Sequence, residues 1–358
     1  MNNHVPRLAA LLAMVLGVAL LMAAPALASP SAQFSDPVEQ GKYLTEIAGC
    51  WGCHTPRDPE TFQVYEGRDF SGGEVFDLGP LGQVQSKNLT SDPATGLGDW
   101  SDEEIITAVT TGVSRDGLHL FPVMPYSTFS GMAQDDLAAV VAYLRTLDPI
   151  ENTVPRVQVL PVEAMPVISY RGPAEAPDPA DTEARGRYLF SGVLACTDCH
   201  TPVDPDTGAP EMDKFLAGGQ PYEGPWGTVY GGNITPDQET GIGDWTDAEI
   251  ERVLREGIRP DGRVVVLMPV EDYKFLTDED VAAVIWYLRN EVQPVNREVP
   301  AAALNDAFVH VVEVPQEEPA GSNLPTGLIL GVTGAIVVVV IGAVVVMTRK
   351  PDLPASGG

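Results

Sequence analysis

Gly49–Pro56 reads GCWGCHTP, and Ala195–Pro202 nearly repeats it as ACTDCHTP. All four cysteines of the 358-residue chain lie in these two Cys-x-x-Cys-His units. Such a unit has three chemical readings: half of a zinc site, a redox dithiol, or the anchor of a covalent porphyrin. The residues around the two units decide between them.

The repeat extends far beyond the cysteines. Gly41–Leu44 (GKYL) returns as Gly186–Leu189 (GRYL), and Gly79–Gly82 (GPLG) as Gly224–Gly227 (GPWG). NLTSDPATGLGDWSDEEI from Asn88 returns as NITPDQETGIGDWTDAEI from Asn233, and AYLR at Ala142–Arg145 as WYLR at Trp286–Arg289. The offset stays between 144 and 146 residues, far longer than a solenoid unit. A duplicated domain follows, with copies at 36–156 and 181–301. Residues 157–180 and 302–325 are Pro-rich and acidic in part, which predicts exposed linkers.

Each copy carries helical signals. Ser101–Glu104 (SDEE) and Thr246–Glu249 (TDAE) have the spacing of capping boxes. Ile105, Ile106 and Val109 form an apolar stripe after the first, and Ile250, Val253 and Leu254 after the second. Leu137, Val140, Val141 and Leu144 recur at i, i+3, i+4, i+7, as do Val281, Val284, Ile285 and Leu288. Strand-like alternation is scarce. The expected class is mainly α, each copy a small helical domain with a large Gly/Pro-rich loop.

Zinc ribbons need two Cys-x-x-Cys pairs close together, and here a whole domain separates them. Thioredoxin-type dithiols sit on a βαβ pattern, which is missing. A c-type haem needs two thiols for the vinyl groups and an adjacent imidazole for the iron, and that spacing is present twice. Two covalent haem c groups are expected, at Cys50 and Cys53 with His54, and at Cys196 and Cys199 with His200. For the sixth ligand, only Met124 and Met268 match across the repeat, each followed by Pro about 70 residues after its motif. Met132 aligns with Leu276, while Met165 and Met212 have no counterpart. His119 is a rival in copy one, but its counterpart is Val264; His310, beyond copy two, is expected in an exposed linker. Trp100 and Trp245 each follow Gly-Asp, and their indole N–H groups, with Asn88 and Asn233, are candidate donors to haem propionates.

The ends suggest a membrane topology. Residues 1–28 hold Arg7, an apolar run and a small-residue cleavage site, as in a secretory signal, with a retained N-terminal helix as the alternative. Residues 326–348 include the apolar run Leu328–Met347, long enough for a transmembrane helix, and Arg349 and Lys350 in the tail 349–358 would stay cytoplasmic. The expectation is a single-pass membrane protein with its haem domains on the periplasmic side. Fifty acidic against 21 basic residues, formally −29, disfavour nucleic acid and suit partners with basic docking surfaces.

Together, CHTP, the Gly-Gly loop, NITPD…TGIGDW, Met-Pro and the final YLR helix resemble class I cytochrome c domains. The similarity is strongest to cytochrome c subunits of membrane-bound bacterial alcohol and sugar-acid dehydrogenases. The resemblance spans roughly residues 36–301 and implies electron transfer rather than catalysis. It assigns thioether attachment to the four cysteines, proximal ligation to His54 and His200, and distal ligation to Met124 and Met268. A dehydrogenase or quinol-oxidising complex would be the donor, and an oxidase or soluble carrier the acceptor. Those subunits commonly carry three haem domains, whereas this chain has two. A peroxidase-type diheme enzyme is the alternative; it would need one haem without a permanent Met ligand.

Overall fold

The computed structural model describes residues 34–314, except 60, 162–166 and 206. Copy one contains helices α1 (Pro37–Ile47), α2 (Cys50–His54), α3 (Asp102–Thr111), α4 (Tyr126–Phe129) and α5 (Gln134–Leu144). Copy two repeats the order as α6 (Thr182–Tyr188), α7 (Cys196–His200), α8 (Asp247–Glu256), α9 (Val270–Tyr273) and α10 (Asp278–Asn290). Both expected capping boxes form, Ser101 with Glu104 and Thr246 with Glu249, and both helices end on a left-handed glycine, Gly112 or Gly257. The periodic stripes of α5 and α10 are buried throughout.

The first and last helices of each copy cross at glycine. A Cβ on Gly41 would lie 1.9 Å from the Ala139 carbonyl oxygen, and one on Gly186 would lie 2.4 Å from that of Ala283. Only a residue without a side chain lets the backbones meet this closely. The repeat then gains one residue in copy two, between Gly186 and Cys196. That residue is absorbed by a π turn at Leu189–Val193, which follows α6 directly.

The loops hold more order than the sequence signals. GPLG turns a hairpin between β1 (Val75–Asp77) and β2 (Gln83–Gln85), and GPWG one between β3 (Pro221–Gly224) and β4 (Gly227–Tyr230). In copy two, β5 (Ala303–Leu304) adds a third antiparallel strand beside β4. The expected exposed linker is also pinned in part. Gln134 and Asp135 donate backbone N–H bonds to the carbonyls of Pro173 and Ala174, Arg171 Nη2 reaches Ser127 O and Ser191 O, and Ala176 is buried.

The copies share one hydrophobic core, and a reciprocal polar contact joins them. Tyr43 of copy one donates to Asp280 Oδ2 of copy two at 2.5 Å. Tyr188 of copy two donates to Asp136 of copy one. These pairs occupy matching positions in the repeat. Arg185 grips Asp280 with Nε at 2.7 Å and Nη2 at 2.8 Å, whereas Gln40 takes the corresponding place beside Asp136. Burial raises the carboxyl pKa of Asp136.

Two expectations need correction. Helix covers 34 % of the structure, in short pieces separated by long loops and two small sheets, so "mainly α" overstates the class. Among the described residues, no helix is long and apolar enough to cross a membrane. The longest, α10, has 13 residues, a rise of about 20 Å against the ~30 Å hydrocarbon core of a bilayer. The expected transmembrane helix at 326–348 and the signal at 1–28 lie outside the described residues. The single-pass membrane placement therefore has no support in the structure.

Candidate haem sites

Each Cys-x-x-Cys-His unit is one helical turn. Gly49, with φ 74°, turns the chain into α2, and the three-residue spacing sets both cysteines on one side of the turn. The histidines are held from behind. His54 Nδ1 lies 2.7 Å from the Lys87 carbonyl oxygen, and His200 Nδ1 lies 2.7 Å from that of Gly232. A carbonyl can only accept, so each Nδ1 carries the proton and each Nε2 keeps its lone pair for a metal. Burial lowers both imidazole pKa values and favours the neutral, ligating form.

The thiols speak against a redox dithiol. Burial pushes the half-buried Cys50 and Cys196 up to about 12. Reactive dithiols need the opposite shift, toward a stable thiolate. Among the described residues, no group of three or more His, Cys, Asp or Glu side chains is arranged to hold a metal ion.

Both motifs open on one cavity of about 1420 Å³. Its walls include Cys50, Cys53, His54 and Met124 from copy one, and Cys196, Cys199, His200 and Met268 from copy two. The volume exceeds the roughly 300–1,000 Å³ usual for one small-molecule pocket. Of the other methionines, Met132 is buried in the core and also borders the cavity, Met212 is exposed, and Met165 lies outside the described residues. His119 and His310 also border the cavity, and His310 is exposed.

Trp100 and Trp245 line the cavity, each with a guanidinium over its ring, Arg115 at 5.1 Å and Arg259 at 5.6 Å. Arg259 Nε is buried without a hydrogen-bond partner; its nearest ion-pair oxygen, Asp261 Oδ1, is 3.7 Å away. Such an orphaned cationic donor on the wall fits the carboxylate of a haem propionate. The two arginines were hidden in the sequence because they occupy different positions of the repeat: Arg115 aligns with Pro260, and Arg259 with Ser114. Asn88 and Asn233 behave differently from expectation. Asn88 Nδ2 donates to Thr95 Oγ1 and the Ile150 carbonyl, and Asn233 Nδ2 to Thr240 Oγ1 and the Val295 carbonyl. Both amide protons are thus spent on closing the loop, and neither is left for a propionate.

Thiol pairs, neutral imidazoles and thioethers around a shared apolar cavity define a covalent haem protein. A family model described as Cytochrome c matches residues 38–148, the span of copy one. The chain is 30 % identical over 264 residues to a "Diheme cytochrome c-type" of Cereibacter sphaeroides, covering 70 % of this chain and 84 % of that one. It is 28 % identical over 284 residues to the "Fructose dehydrogenase cytochrome subunit" of Gluconobacter japonicus, covering 75 % of this chain and 55 % of the relative. Against the "Alcohol dehydrogenase (quinone), cytochrome c subunit" of Komagataeibacter europaeus, identity is 29 % over 289 residues, with 75 % and 59 % covered. The chain thus spans less than two thirds of both dehydrogenase subunits. It belongs to the cytochrome c family. Its cofactor is covalently attached haem c, and its part is electron transfer rather than catalysis.

A thioether sixth ligand raises the potential of a haem iron. With Met268 as such a ligand, Met268→His would lower the potential of its haem by a sizeable part of the roughly 0.8 V that axial ligation can span. Spectroelectrochemical titration of the purified protein would check this; unchanged potentials would remove Met268 from the ligand set.

Proposed function

We propose that the chain is a diheme electron relay serving a dehydrogenase. Cys50, Cys53, His54 and Met124 would hold one haem, and Cys196, Cys199, His200 and Met268 the other. The observation that carries this reading is the single cavity bordered by both motifs and by both matched methionines. Bound haem supplies a one-electron Fe(III)/Fe(II) couple. The protein's own residues fix the rest. The Lys87 and Gly232 carbonyls aim the imidazoles, the apolar walls exclude water, and Arg259 offers a partly exposed charge with a buried Nε to a propionate.

A relay also needs its two centres held in a fixed relation. The reciprocal Tyr–Asp contacts and the shared core support that, since two domains swinging on a free linker could not keep them. The dehydrogenase partner rests on the relatives, two of which are named as cytochrome subunits of such enzymes. The net charge of −29 suits a partner with a basic docking face.

The deciding experiment is a haem count on the purified chain. Pyridine haemochrome absorbance should give two haems per polypeptide, and reductive titration should resolve two one-electron steps. One haem per chain would overturn the relay.

A further inference from the structure

Asp272 belongs to copy two, four residues beyond Met268, yet its carboxylate lies on copy one. The side chain is buried, 5 % exposed, on the short helix α9. A Cβ built on Gly52 would lie 2.6 Å from Asp272 Oδ2 and 3.1 Å from Oδ1; one on Gly49 would lie 3.7 Å from Oδ2. Gly52 sits inside the copy-one Cys-x-x-Cys turn, so the carboxylate rests against the haem-attachment motif of the other copy. The matching position in copy one is Thr128, which carries no charge. The two motifs therefore face different electrostatic surroundings.

We propose that Asp272 is a potential-setting residue for the copy-one haem, a buried negative charge that copy two contributes across the domain interface. The proposal rests on the two-haem reading above. A carboxylate in a low-dielectric wall stabilises Fe(III) over Fe(II) and so lowers that haem's potential. The copy-two motif has a carboxylate of its own, Asp198 at the position of Gly52, but it is exposed rather than buried.

The groups facing Asp272 are few. Arg57, whose Nη1 donates to the Gly52 carbonyl, favours its charged form, as does the Gly52 N–H. Lys274 acts in the same direction and Glu271 against it, both partly exposed and screened by water. Cys50, Cys53 and Tyr273 interact with it as well, and the two thiols become neutral thioethers once haem is attached. Burial outweighs these contacts and pushes the Asp272 carboxyl up to about 6. Taking up one electron at the iron then favours uptake of one proton from solvent at this carboxyl. The copy-one potential falls as pH rises through that value.

The test uses the full haem-loaded chain and redox titrations from pH 5 to 8, with haem content measured first. In Asp272→Asn, the electron-sharing equilibrium between the haems should shift about tenfold toward reduced copy one, equivalent to ~59 mV for one electron. Its pH slope between 5 and 7 should flatten, and Asp272→Thr should behave alike. The haem that moves should be the one that responds to Met124→His. Unchanged potentials and pH profile, or equal shifts of both haems, would overturn the proposal. A wild-type chain with one haem would instead sink the two-haem reading beneath it.

Discussion

Asp280→Ala should destabilise the protein by about 3–5 kcal/mol. Arg185 and Asp280 are both buried, with side chains 4 % and 0 % exposed, and their nearest atoms lie 2.7 Å apart. Removing the carboxylate strips a buried guanidinium of its paired carboxylate and leaves Asp136 as the acidic charge acting on it, the costly way to break such a pair. It also removes the acceptor of the Tyr43 hydroxyl, one of the two reciprocal bonds between the copies. The thermal midpoint should fall by roughly 6–20 °C. Asp136 provides the control, because it occupies the matching position beside the neutral Gln40. Asp136→Asn leaves no buried charge unpaired and should cost far less. It should also change the pH dependence. Burial raises the Asp136 carboxyl pKa, so the folded state binds more protons there, and stability declines as pH rises from the ordinary carboxylate range through the raised value. The Asn variant should lose that slope. Denaturation melts of both variants across pH would check the pair, and equal losses would argue that the ion pair contributes nothing special.

The repeat made much of this architecture legible. It located the capping boxes, the buried stripes of α5 and α10, and two methionines that border the cavity, because each of these depends on local spacing. What stayed hidden depends on contacts distant in sequence. Tyr43 and Asp280 are 237 residues apart, and neither belongs to a motif. Gly52 carries no signal of its own between the cysteines, yet the Asp272 carboxylate lies against it. The hairpins escaped because their strands are only three or four residues long, too short for alternation to register. Asn88 and Asn233 misled for the opposite reason. Their chemistry suits a propionate, but nearer backbone carbonyls satisfy them first.

Gly41→Val should prevent copy one from closing around its haem. α1 and α5 cross with the Ala139 carbonyl oxygen where a Gly41 side chain would begin, 1.9 Å from a Cβ. The Tyr143 Cβ stands only 2.9 Å from the same point. Neither obstacle is the far end of a flexible side chain, so the helices themselves must separate. Overpacking a well-packed site costs typically 1–3 kcal/mol and occasionally more. Here the strain falls on backbone, and a β-branched side chain adds two further carbons to place, so the upper end or beyond is expected. Separation would also displace Leu44 and Ile47, fully buried on α1, and with them the Gly49 turn that leads into Cys50. On the proposed two-haem reading, haem attachment at copy one should drop while copy two keeps its own. Gly186→Val is the mirror experiment, with 2.4 Å to the Ala283 carbonyl oxygen, and should spare copy one instead. Haem stoichiometry near one per chain in each single variant would bear out the crossing. Full haem content with an unchanged melting midpoint in both would show that the helices can part without consequence.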